Sequence, residues 1–195
     1  MEITHPSPEL IAWRRKTGAD LFDEVWDGLL HMNPAPSLEH NRLLGDLYRA
    51  LSAYLESRGL GRIYPTSNVS APGVSDWTRN FRVPDLSIVF DDQTAQLCDV
   101  YIEGGPRVIV EIRSPGDETS DKLEFYARIG TSELIVIDSV TKRIETFRAS
   151  EGRLVPAPPD ADGWHRSGAL DGELATRGGR IELRRVGSSI AFATV

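Results

Sequence analysis

Cysteine is almost absent from this chain. One residue, Cys98, in 195 excludes an internal disulfide framework and any cysteine-rich zinc site. Long apolar runs are missing too: none approaches the roughly 20 residues that span a bilayer. The opening MEITHPSPELIAWRRKTG has no apolar signal-peptide centre. No membrane association is expected, and the cytoplasm is the expected compartment. Positive charge is scarce, with 22 Lys and Arg against 29 Asp and Glu, a net of −7. That balance argues against a broad basic face for nucleic acid. It leaves room for a local groove, because a site built from carboxylates stays acidic until its cations bind. Internal repeats and low-complexity tracts are also lacking.

What is present is an ordinary globular composition, 40% hydrophobic and 26% charged, at a length that suits one well-packed domain over 1–195. Ser7-Pro8-Glu9 reads as the N-cap, starting proline and acidic first turn of a short helix that stops at Gly18. Leu21–Trp26 and Leu29–Met32 flank Asp27-Gly28, a type I′ hairpin signal. After Pro34 and Pro36, a helix is expected from about Ser37 to Ser57. Leu43, Leu47, Leu51 and Tyr54/Leu55 line one of its faces, and Gly59 closes it.

From Gly61 the periodicity turns to strands, at Arg62–Thr66, Asn68–Ala71, Val83–Phe90, Val108–Arg113, Glu133–Asp138 and Arg143–Arg148. Val74–Asn80 reads as a loop, and Thr94–Leu97 as a helical turn. Asp117–Ser120 offers N-caps for a helix that carries Leu123, Tyr126 and Ala127 and ends at Gly130. Val108–Asp138 is then a strand–helix–strand unit with a right-handed crossover between parallel strands. The Gly- and Pro-rich tail should form short strands around Asp171-Gly172 and Gly178-Gly179, such as Arg180–Arg185 and Ser189–Thr194. The expected architecture is a mixed α/β (α+β) fold with a central mixed sheet flanked by helices. Its core covers about 20–148, with a β-rich extension at 149–195.

Two acidic residues interrupt the strand pattern. Glu111 sits within the apolar run VIVEIR, and Asp85 opens another run directly after Pro84. A carboxylate buried without a partner or a metal costs several kcal/mol, on the order of what a whole domain gains on folding. Phosphodiester hydrolysis needs an activated water and stabilisation of developing negative charge. Magnesium supplies both and takes one or two carboxylates, waters and substrate phosphate as ligands. Lys122, on the following helix, could orient or deprotonate the attacking water. Blander readings stand beside these. Asp85 could cap a turn, Glu111 could pair with Arg82 or Arg113, and Lys122 could be solvated. Tyr126 reads as core, and Gly104-Gly105-Pro106 as a turn.

The ordered set of Pro84-Asp85, Glu111 in a hydrophobic strand, Ser114-Pro115 and a Lys–x3–Tyr helix resembles the PD-(D/E)XK nuclease superfamily. Within it, the chain is similar to the Uma-two (Uma2) family of restriction-endonuclease-like proteins. The resemblance covers about Leu21 to Arg148 and includes Glu24, Asp27-Gly28, Pro34/Pro36 and His40. It implies a restriction-endonuclease-like core and a magnesium-dependent endonuclease acting on DNA, with manganese as a substitute ion. Asp85, Glu111 and the main-chain carbonyl of Ile112 would be the metal ligands. Lys122 and Glu24 would act with the two carboxylates as catalytic residues. The superfamily's simplest pattern has a lysine two residues after the glutamate. Here that position is Arg113, which cannot act as a base, so Lys122 becomes the substitute and Arg113 a binder of the scissile phosphate. His40 would contact substrate or pack in the helix start, and Glu24 would serve the metal or form a cross-strand ion pair. A homodimer is expected, because symmetric duplex cutting favours twofold assemblies. Two other functions fit the same residues: a non-catalytic binding or regulatory module, or a hydrolase of small phosphoesters.

Overall fold

The computed structural model describes residues 2–3, 6–93, 95–114 and 119–195. It contains a first helix, α1, at Pro8–Thr17, a long helix, α2, at Leu38–Glu56, and a short one, α3, at Leu123–Ile129. Ser37 caps α2 by accepting a hydrogen bond from the His40 amide at 3.1 Å. Leu43, Leu47, Leu51 and Leu55 recur every four residues and are all buried. At about 2 kcal/mol for each buried leucine, this stripe decides which face of α2 meets the sheet.

The central sheet has six strands in the order Arg153–Pro156, Ile144–Ser150, Glu133–Asp138, Val108–Arg113, Leu86–Phe90, Gly61–Pro65. Val108–Arg113 pairs in parallel with Glu133–Asp138, as the strand–helix–strand pattern requires, and the other neighbours are antiparallel. Both faces are covered, which explains the unbroken apolar runs. Val108, Val110 and Ile112 join α2 and the C-terminal strands in one cluster. Ile109 joins Phe125, Tyr126 and Ile129 of α3 in the other. Side chains alternate along a strand, so Glu111 shares the α3 face with Ile109.

A second sheet contains the hairpin Glu24–Trp26/Leu29–His31, and Asp27 and Gly28 take positive φ (49° and 89°) as a type I′ turn demands. The tail forms a four-stranded antiparallel sheet from His165–Ser167 to Ala191–Thr194, with Gly178-Gly179 as one of its turns. Leu174, Ile181 and Leu183 of this sheet pack into the α2 cluster. The architecture is therefore mixed α+β with few helices, as expected.

Several local expectations shift. The strand expected from Val83 begins at Leu86, because Pro84 has no N–H to place in a ladder. Ala19–Phe22 is a 3-10 turn, and only Glu24–Trp26 of the first hairpin arm is extended. Instead of a helical turn, Gln96–Leu97 pairs antiparallel with Ile102–Glu103, since a sheet edge offers that backbone partners which an isolated turn lacks. Thr94 lies outside the described residues, as do the expected strand terminator Pro115 and the N-cap candidate Asp117. Within the described part, Thr119–Lys122 is a 3-10 turn that runs into α3, and Lys122 stands at its junction.

Candidate active site

Antiparallel pairing sets the beginning of Leu86–Phe90 beside the end of Val108–Arg113. Val110 lies opposite Leu86, so one residue further Asp85 stands abreast of Glu111. Asp85 Oδ2 accepts from the Ile112 amide at 2.6 Å and Oδ1 lies 2.9 Å from His40 Nε2. The first turn of α2 thus delivers His40 to the site, and its Nδ1 lies 3.4 Å from Ser114 Oγ. His40, Asp85, Glu111 and Ser114 line a cavity of about 460 Å³, walled by the Asn33–Ser37 segment, α2 and the turn at Ser139-Val140.

Glu111 is buried to 4% exposure. Its Oε1 accepts from the Tyr126 hydroxyl at 2.5 Å and from Lys122 Nζ at 3.2 Å. Burial is the main cause that pushes its carboxyl up to about 8, with Asp85 and Glu24 adding to it while Lys122 and Tyr126 oppose. The same burial, together with the Glu111 charge, raises the Tyr126 phenol well above its ordinary value. Both hydrogen bonds of Glu111 fall on one oxygen, which leaves Oε2 able to face a cation.

Lys122 Nζ also donates to Glu24 Oε1 at 2.8 Å. Glu24 is itself fully enclosed. It accepts from the Val83 amide at 2.9 Å and from Trp26 Nε1 at 2.7 Å. It stands behind Lys122 and is not part of the cavity wall. Arg82 supports this layer, with its guanidinium between the Trp26 and Phe125 rings at 4.3 and 4.1 Å from their centroids. Burial pulls Arg82 down to about 10, against the pull of Glu24.

The structure brings together Asp85, Glu111, Lys122, Glu24 and His40, and sets the Ile112 backbone against Asp85. It directs Arg113 elsewhere: its guanidinium forms a two-pronged pair with Glu145 at 3.1 and 3.3 Å, and it does not line the cavity. Three neighbours carry more than their sequence positions suggested. Tyr126, read as core, is core and also holds Glu111; its four-residue spacing from Lys122 was the available signal. Trp26 donates to Glu24 from two residues along the same strand, and Arg82 packs on the Trp26 ring, a contact that only the tertiary structure reveals.

Could this set hold a divalent cation? Among the described residues, no group of three or more His, Cys, Asp or Glu side chains could hold a metal ion by itself. Two carboxylates do converge, and a carbonyl lies near them. N–H and C=O of one strand residue project to the same side. The Ile112 amide points at Asp85, past the last paired residue of the adjoining strand, and its carbonyl follows. Two carboxylates, one carbonyl and space for water match an open magnesium site rather than an enclosed protein cage.

A family model described as "Uma2: Putative restriction endonuclease" matches residues 9–176, beyond both ends of the segment whose motifs carry the resemblance. Among solved structures, a protein described as a putative nuclease belonging to DUF820, from Anabaena variabilis ATCC 29413, superposes with a TM-score of 0.58 at 15% identity. The match covers 76% of this chain and 82% of that one, and it shows a shared fold. No curated protein matches.

Proposed function

The chain belongs to the Uma2 family of restriction-endonuclease-like proteins, and from that premise we propose that it is a divalent-metal-dependent nuclease that hydrolyses phosphodiester bonds in DNA. The observation that carries this reading is the pair Asp85 and Glu111, abreast at the end of the central sheet with Lys122 on Glu111. An acid inside the VIVEIR strand is costly to bury. Its burial is tolerated because Lys122 and Tyr126 hold it, and a cation would stabilise it further.

Magnesium, or manganese in its place, would be held by Asp85, Glu111 and the Ile112 carbonyl. When bound, it supplies charge neutralisation and a water of lowered pKa. The protein's own groups then have distinct tasks. His40 and the Ile112 amide hold the Asp85 carboxylate in orientation from two sides. Lys122 positions or activates the attacking water, close enough to Glu111 to act at the same phosphate. Glu24 acts through Lys122: three donors fix its carboxylate, which in turn sets where the ammonium points. Arg113 takes no part at the phosphate while it remains on Glu145. No helix among the described residues is long and apolar enough to cross a membrane.

Incubation of supercoiled plasmid and a single-stranded DNA circle with the protein and magnesium or manganese tests this reading. Glu111→Ala and Asp85→Ala proteins, purified in parallel, should lose cleavage by two or more orders of magnitude. Equal cleavage by wild type and both variants would refute the assignment.

A further inference from the structure

Gripping a duplex along its backbone requires several cations per binding face, since each neutralised phosphate consumes one. Among the described residues on this cavity's wall, Lys122 is the only lysine or arginine, beside His40, Asp85 and Glu111. The arginines around it are already engaged. Arg14 pairs with Asp23 and donates to the Ala19 and Asn33 carbonyls. Arg82 is held between two rings and on the Val25 carbonyl, and Arg113 is on Glu145. Residues 115–118 of the sequence, Pro-Gly-Asp-Glu, include no basic side chain.

What the wall offers instead is apolar. Phe22, Pro34, Pro36, Leu44, Val83 and Val140 border the same space as the carboxylates. At about 460 Å³, the cavity falls within the range of small-molecule sites, which enclose a ligand rather than skirt it. Asn41, in the first turn of α2, borders it with a side-chain amide that makes no hydrogen bond to the other described residues. An apolar wall with one unengaged amide suits a nucleobase and its edge. A base inside a duplex is stacked and paired, so its entry costs a few kcal/mol of unstacking and unpairing that an unpaired base does not incur.

We propose that this site takes DNA one unpaired nucleotide at a time, with the scissile phosphate at Asp85 and Glu111 and the adjoining base against the Phe22–Pro34–Val140 wall. The proposal rests on the nuclease reading and narrows its substrate to single-stranded or locally unpaired DNA. Recognition comes from enclosure of one nucleotide rather than from charge along a helix.

The test is fluorescence anisotropy with the full chain and three labelled oligonucleotides: a single strand, its perfect duplex, and that duplex with one bulged nucleotide. Calcium in place of magnesium holds the complexes before turnover. The single strand and the bulge should bind at least tenfold more tightly than the duplex. At about −0.7 per phosphate for single strands, one or two contacts predict a log–log salt slope near −1. Ala35→Trp fills the cavity from an exposed position on its wall and should weaken single-strand binding at least tenfold without changing the melting temperature. Duplex binding as tight as the single strand, a slope of −4 or steeper, unaltered binding by Ala35→Trp, or no binding at all would each overturn the proposal. Repeating the series with magnesium separates the two claims. Selective single-strand binding without cleavage keeps the substrate class and removes the chemistry, whereas faster cleavage of duplex keeps the chemistry and removes the class.

Discussion

Glu111→Gln should make the metal-free protein more stable, and by an amount that depends on pH. Glutamine has the shape of the protonated glutamate and keeps an oxygen for Tyr126 and Lys122, so it removes the buried charge and little else. In the unfolded chain the carboxyl ionises near its ordinary 4.5, whereas the fold holds its proton up to about 8. Between those values, folding takes up a proton, and stability falls as pH rises. At about 1.4 kcal/mol per pH unit above 4.5, the native protein has lost about 3 kcal/mol at pH 7. The glutamine variant loses none of it. For a chain of this length that corresponds to a melting temperature roughly 6–12 °C higher at pH 7. Below pH 4.5 the two proteins should melt together, and above pH 8 the gap should stop widening. Calorimetric or circular-dichroism melts of both proteins from pH 4 to 9, with a chelator present, provide the measurement. A gap that does not change with pH, or a variant less stable at pH 7, would refute the reasoning. Either result would mean that Lys122 outweighs burial and that Glu111 is ionised in the fold.

Three further outcomes follow from the same site and its frame. Because a proton competes with a cation at Glu111, apparent magnesium affinity should climb up to about tenfold per pH unit and level off near pH 8. Calorimetry in buffers of differing ionisation heat should then detect about one proton released per ion at pH 7. Lys122→Met leaves the buried Glu24 without its cation and Glu111 without its Nζ donor and should cost about 3–5 kcal/mol in urea unfolding. Unchanged stability would show that Lys122 does not hold the Glu24 carboxylate. Gly105→Ala would put a methyl carbon 2.4 Å from the Thr131 amide nitrogen and 2.6 Å from the Gly130 carbonyl carbon. Backbone cannot rotate away as a side chain can, so a loss of about 1–3 kcal/mol is expected in the same assay.

Much of the frame was legible because it rests on local rules. The four-residue leucine spacing in α2, the proline pair before it and the Asp27-Gly28 turn each act over less than one element. Their reading required no distant partner. The parallel pairing of Val108–Arg113 with Glu133–Asp138 was also readable, since the helix between them carries the chain back to the same end of the sheet. Gln96–Leu97 was not legible: two residues form a strand only because the edge at Ile102–Glu103 accepts them. Leu21 and Phe22 looked like strand from their apolar character, and the structure puts them in a 3-10 turn beside Asp23, which Arg14 and the Asn33 amide hold.

The candidate site divides along the same line. Glu111 and Asp85 stood out in the chain because burial of an acid is costly wherever it occurs, so an acidic residue in an apolar strand signals its own importance. Which cation would meet Glu111 was undecidable from one dimension, with Arg82, Arg113 and Lys122 all candidates. Antiparallel register brought Asp85 abreast of it, and the end of the Thr119–Lys122 turn aimed the lysine between Glu24 and Glu111. Glu145, two strands away in the sheet, drew Arg113 off. Local composition dictates helices, turns and the presence of a costly charge. The partners of that charge depend on distances of a few ångströms between segments up to about a hundred residues apart, and only packing of the whole chain sets those distances.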